Sequence, residues 1–119
     1  MNKTVNHINT AEAADQLAAD NEVEVESMRK DSFSLHVMRF EPGDEDSTHA
    51  HDGDSMHAHD EDEIYFVDTG KATLETEDSS IEVEKGDVIH LDPKTDHQFT
   101  GFEDEFVVTV VYAPAEGSQ

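Results

Sequence analysis

The chain changes its hydrophobic period once. Over "NTAEAADQLAAD" (9–20) the residues favour helix, with Thr10 as the expected N-cap and Ala11 to Ala19 as the helical run. Leu17 is its one large apolar residue, so this short helix should pack on the edge of something else. After Asn21 the period becomes two. "EVEVESMR" (22–29) and "FSLHVMRF" (33–40) alternate, and "KDS" between them makes a hairpin. "PGDEDS" (42–47) breaks the second strand. Further strands are expected at "EIYFV" (63–67), "KATLETE" (71–77), "IEVE" (81–84), "VIHL" (88–91), "HQFTG" (97–101) and "EFVVTVVYA" (105–113). Turn residues separate them, and the last, the most apolar, should be a buried strand. No helical segments stand between the strands, which excludes parallel βαβ units. The pattern predicts an all-β protein, a sandwich or barrel, best a double-sheet jelly roll with a short N-terminal helix. With 119 residues the chain suits one domain spanning 1–119, with a core at about 22–114 and residues 1–21 as a helical extension.

Charge alters this picture in one respect. There are 30 Asp+Glu against 7 Lys+Arg, a formal net charge of −23. Such a balance makes nucleic acid and anionic membranes poor partners. It also raises disorder as an explanation, which the ordered alternation of apolar residues opposes. The acids are spread along the whole chain, as in proteins of halophiles whose cytoplasm holds molar salt, where the Debye length is about 3 Å and self-repulsion is screened. No apolar run approaches the roughly 18–20 residues of a membrane span, and "MNKTVNHINTAEAAD" lacks the apolar stretch of a secretory signal, so a cytoplasmic location is expected. Cysteine is absent, which excludes disulfides and thiolate metal sites.

The chemistry gathers in "THAHDGDSMHAHDEDEIYF" (48–66), where "HAHD" occurs twice. If the second copy leads into a strand, His57, His59, Glu63 and Tyr65 share one parity and line one wall. A helix would point His57 and His59 about 200° apart. His97 opens a later strand and could face the same interior. Only the later pair has Glu63 in register, four residues after His59. His49 and His51 are expected in a solvated loop; the sharper alternatives are a second metal site or a gating role. Asp60, Glu61 and Asp62 read as solvated acids, His36 and His90 as sheet-face or interface histidines, and His7 as exposed.

These residues resemble the cupins. The first cupin motif has His-x-His, three residues, Glu, six residues, then Gly; this chain has His57, His59, Glu63 and Gly70 at those spacings. The second runs from a Gly to a His eleven positions later, matched by Gly86 and His97. The opening Gly of the first motif matches Gly43 only if eight residues are inserted in the loop. The second motif's usual Pro, Gly and Asn are Asp92, Lys94 and Gly101 here. The resemblance covers roughly residues 33 to 112. It implies a double-stranded β-helix barrel holding one divalent metal through His57, His59, Glu63 and His97. Imidazole with one carboxylate suits Fe, Mn, Ni, Zn, Co or Cu, and ligands on two strands leave positions for water or substrate. Tyr65 reads as a core tyrosine or as a ligand or general base; a similar Glu-x-Tyr occurs in cupin-type lyases that cleave dimethylsulfoniopropionate. Glu63 and Tyr65 are thus the candidate catalytic residues. The resemblance also implies a homodimer.

Three functions remain open on the sequence. The first is a metal-dependent enzyme acting on a small organic molecule, as a dioxygenase or other oxygenase, a lyase or an isomerase. The second is a non-catalytic module binding a small ligand. The third is a metal buffer using the duplicated "HAHD".

Overall fold

A computed structural model describes residues 5–44 and 60–117. The order of elements is α1 (Thr10–Asp20), β1 (Glu24–Lys30), β2 (Phe33–Phe40), β3 (Asp62–Thr69), β4 (Lys71–Thr76), β5 (Ser80–Glu84), β6 (Val88–Leu91), β7 (His97–Thr100) and β8 (Phe106–Ala113). The strands form two antiparallel sheets. One has five strands in the order β1-β2-β8-β3-β6, the other three in the order β5-β4-β7. Every expected strand is present, and the mostly antiparallel, two-sheet architecture is that of a jelly-roll barrel.

Alternation along each strand decides what is buried. Met38 and Phe40, Tyr65 and Val67, Ala72 and Leu74, Phe99, and Phe106, Val108, Val110 and Tyr112 turn into one core between the sheets. β8 is the central strand, paired with β2 on one side and β3 on the other, which is why its run is the most apolar. Its outward Val107 is covered too, because α1 lays Ala14 and Leu17 on Val37 and Val107. The helix therefore packs on a sheet face rather than on an edge. It starts one residue earlier than expected: Asn9, not Thr10, is the N-cap, its side chain accepting from the Glu12 N–H at 2.9 Å.

The passage from β3 to β4 is made at Gly70, with φ 81°. A Cβ there would lie 2.1 Å from the Glu105 carbonyl oxygen. That carbonyl belongs to the segment entering β8, which Arg39 of β2 holds by donating from Nε to the Glu105 carboxylate at 2.5 Å. The same hydrogen bond raises the Arg39 pKa, against the opposing effect of burial.

Candidate functional site

β3 and β8 pair in a register that sets Glu63 opposite Tyr112 and Tyr65 opposite Val110. The odd residues of β3 therefore face the interior. Glu63 is fully buried and Tyr65 is 1% exposed. His97, at the start of β7 in the other sheet, is also fully buried. The structure brings these three side chains together across the barrel. The Tyr65 hydroxyl donates to Glu63 Oε1 at 2.5 Å and lies 3.0 Å from His97 Nε2. His97 Nε2 is 3.2 Å from the same carboxylate oxygen. The phenol ring meets Phe99 edge-on, with centroids 5.1 Å apart, which fixes its orientation.

The turn before β7 sets the histidine tautomer. His97 Nδ1 lies 2.7 Å from the Thr95 carbonyl oxygen, which can only accept, so Nδ1 carries a proton. Nε2 is then the nitrogen turned to Glu63. Thr95 is itself held by its hydroxyl, which donates to the Asp92 carbonyl at 2.8 Å. Pro93 followed by Lys94 at φ 65° is the pattern of a type II turn, and Lys94 occupies the left-handed position where glycine is at ease. The departure from the cupin motif at 94 thus keeps the turn and carries its strain. Lys94→Gly should stabilise the protein by about 1 kcal/mol. Chemical denaturation checks this; a loss of stability would mean that the lysine side chain contributes more than the left-handed backbone costs.

Glu63 and His97 fit a metal ion chemically. His97 Nε2 and a Glu63 carboxylate oxygen lie 3.2 Å apart in a buried site, where a carboxylate needs a proton or a cation to offset it, and Tyr65 has one proton to give. The second Glu63 oxygen, Oε2, has no hydrogen-bond partner among the described residues. The Nδ1 bond to a backbone carbonyl is the usual support of a ligating imidazole. His57 and His59, like His49 and His51, lie outside the described residues.

Two side chains are placed differently from the sequence reading. Glu61, read as a solvated acid, is 3% exposed, and its Oε2 accepts from the Gly117 N–H at 3.3 Å. It shares the parity of Glu63 and Tyr65, the signal that could have revealed it. His36, read as a sheet-face or interface histidine, is on the barrel-facing side of β2 and 4% exposed. His90 does lie on the outer face, with Nε2 2.9 Å from Asp62 Oδ1, and His7 is exposed. A cleft of about 590 Å³ lies elsewhere, lined by Lys71, Thr73, Glu82, Glu84, Asp87 and Glu103 among others. Without histidine it offers no ligand set comparable to the buried cluster.

A family model described as "Cupin domain" matches residues 36–112, well over half of the chain. Solved structures share the fold. KdgF from Halomonas sp. aligns with a TM-score of 0.64 at 18% identity, covering 76% of this chain and 78% of that one. An RmlC-like cupin family protein with a double-stranded β-helix fold from Methanocaldococcus jannaschii aligns at 0.67 and 14% identity, covering 96% and 93%. The DMSP lyase DddQ from Ruegeria pomeroyi aligns at 0.60 and 21% identity; 71% of this chain is covered, but only 39% of that one. No curated protein matches the chain in sequence. Among the described residues, no helix is long and apolar enough to cross a membrane.

Proposed function

Because the chain belongs to the cupin family, we propose that it is a metal-dependent enzyme acting on a small organic molecule, with His57, His59, Glu63 and His97 as ligands of one divalent transition ion. The observation that carries this reading is the buried cluster of Glu63, Tyr65 and His97, in which an imidazole nitrogen and a carboxylate oxygen lie 3.2 Å apart with a phenol hydroxyl beside them. When bound, such an ion supplies Lewis-acid stabilisation of negative charge on a substrate oxygen. The chain's own residues supply the rest. Thr95 holds His97 in the tautomer that presents Nε2. Phe99, Val110 and Tyr112 keep the floor of the site dry, which strengthens every polar interaction inside it. Tyr65 is the proton carrier, and its short bond to Glu63 gives the phenol proton a place to go.

Among the reactions open to such a site, proton abstraction beside a carbonyl or carboxylate is the one that Tyr65 supports. It leads to elimination or isomerisation. The fold shared with a DMSP lyase agrees with a lyase, as does the Glu63-x-Tyr65 spacing. The charge of −23 agrees with a salt-filled cytoplasm as the place of action. Pairing of two copies through the outer face of β3 and β6, where the cross-strand neighbours Phe66 and Val88 are exposed, would make a homodimer.

The test is elemental analysis of untagged protein purified in high salt without added metal. Wild type should retain about one transition ion per chain through dialysis. Glu63→Ala and His97→Ala should each weaken retention by at least about tenfold. A screen of small carboxylates with β leaving groups should then show turnover that a chelator abolishes. Equal metal retention in wild type and both variants would overturn the ligand assignment. Turnover indifferent to chelation would overturn the role of the metal.

A further inference from the structure

A second cluster lies on the other side of β8 from Glu63. β2 alternates so that Ser34, His36, Met38 and Phe40 are on its barrel-facing side. His36 pairs across to Val110 on one flank and to Glu26 on the other. Its side chain is 5% exposed. Nδ1 is 2.8 Å from Glu24 Oε2 but makes no hydrogen bond among the described residues, so the contact lacks hydrogen-bond alignment. Nε2 is 3.6 Å from Glu116 Oε1, 3.6 Å from Glu26 Oε1 and 3.3 Å from the Ser34 hydroxyl.

The position of Glu116 is built, not incidental. The Ala115 N–H donates to the Asp31 carbonyl at 3.2 Å, and the Glu116 N–H donates to the Ser34 hydroxyl oxygen at 2.9 Å. Arg29 Nη2 donates to the Glu116 carbonyl at 2.8 Å. Three bonds thus lay the segment after β8 back over the β1–β2 hairpin, with the Glu116 carboxylate beside the imidazole. Glu24, His36 and Glu116 each offer a ligand atom within 4.8 Å of the others.

The donor atoms decide what such a cluster can hold. Arg29 Nη1 donates to Glu26 Oε1 at 2.7 Å and balances that carboxylate. Glu24 and Glu116 bring two carboxylates to a buried imidazole, a donor set that suits a divalent transition cation. An ion also uses an imidazole nitrogen that no hydrogen bond occupies.

We propose that Glu24, His36 and Glu116 form a second metal site, taking a divalent transition ion of the zinc class and tying the C-terminal segment to the β1–β2 hairpin. This centre is separate from the one assigned to Glu63 and His97. The register runs Ser34, Tyr112, Glu63 across β2, β8 and β3, so the two are two strand spacings, about 10 Å, apart. With one nitrogen ligand, the second site binds the more weakly and fills on adding metal.

The experiment titrates full-length protein with zinc chloride by calorimetry and repeats it with copper(II) under electron paramagnetic resonance. Wild type should bind an equivalent beyond the ion it retains on purification, with coupling to one nitrogen in the copper spectrum. That equivalent should raise the thermal unfolding midpoint. Glu116→Gln and Glu24→Gln should weaken it at least about tenfold and leave the retained ion in place. His36→Gln should abolish it; the two carboxylate variants keep the test valid if that buried substitution fails to fold. An unchanged affinity in both carboxylate variants would overturn the proposal, placing the extra ion on other histidines. The absence of any further equivalent would overturn it too.

Discussion

Gly70→Ala lowers the stability of the fold by about 3–5 kcal/mol, a large share of the roughly 5–15 kcal/mol of a typical domain. Two costs add. Forcing a residue with a Cβ to φ 81° costs about 1–2 kcal/mol. The new carbon would also meet the Glu105 carbonyl oxygen at 2.1 Å, and the Phe106 Cα at 3.3 Å leaves little room to swing away. Relief requires moving the start of β8, the central strand of the larger sheet. Gly86 supplies the control, since its φ is 97° but nothing lies within 4 Å of its Cβ position. Gly86→Ala should therefore show the backbone cost alone, about 1–2 kcal/mol. Denaturant unfolding of both variants separates the terms. Equal losses at the two positions would show that the approach of β8 to Gly70 carries no energy.

Tyr65→Phe reduces turnover by about 10²–10⁴-fold and leaves metal retention close to that of wild type. The ring stays, packed edge-on against Phe99, so the shape of the site is kept. What goes is the hydroxyl between Glu63 Oε1 and His97 Nε2. If Tyr65 carries the substrate proton, kcat falls while Glu63 and His97 still hold the ion. If the hydroxyl only satisfies a buried carboxylate, turnover persists and stability falls by about 1–3 kcal/mol instead. Elemental analysis, thermal unfolding and a rate measurement on one preparation distinguish the two.

Much of the candidate site was legible beforehand because strand parity is a local property. Glu63 and Tyr65 stand two apart in an alternating run, and both face the interior. Gly70, Gly86 and His97 were legible as spacings, and the left-handed φ of both glycines shows what those spacings serve. Glu61 was misread because abundant acids made any single carboxylate look solvated. Its parity pointed inward, but its partner, the Gly117 N–H, lies 56 residues away. The helix start slipped by one residue for a related reason. Asn9 and Thr10 are both good caps, and local propensity does not rank them once Ala14 and Leu17 must land on Val37 and Val107.

The sequence by itself determined the eight strands, the inward face of Glu63 and Tyr65 and the most buried run, because alternation with turn residues needs no knowledge of distant neighbours. Tertiary structure decided which strands meet. β8 pairs with β2 and β3, and those pairings set His36 and Glu63 on opposite sides of the same strand. No stretch of sequence announces that Glu24, His36 and Glu116 converge, since they lie on two strands and a returning tail. Convergence of that kind is fixed by hydrogen bonds between segments remote in the chain, and these exist only once the sheets have closed.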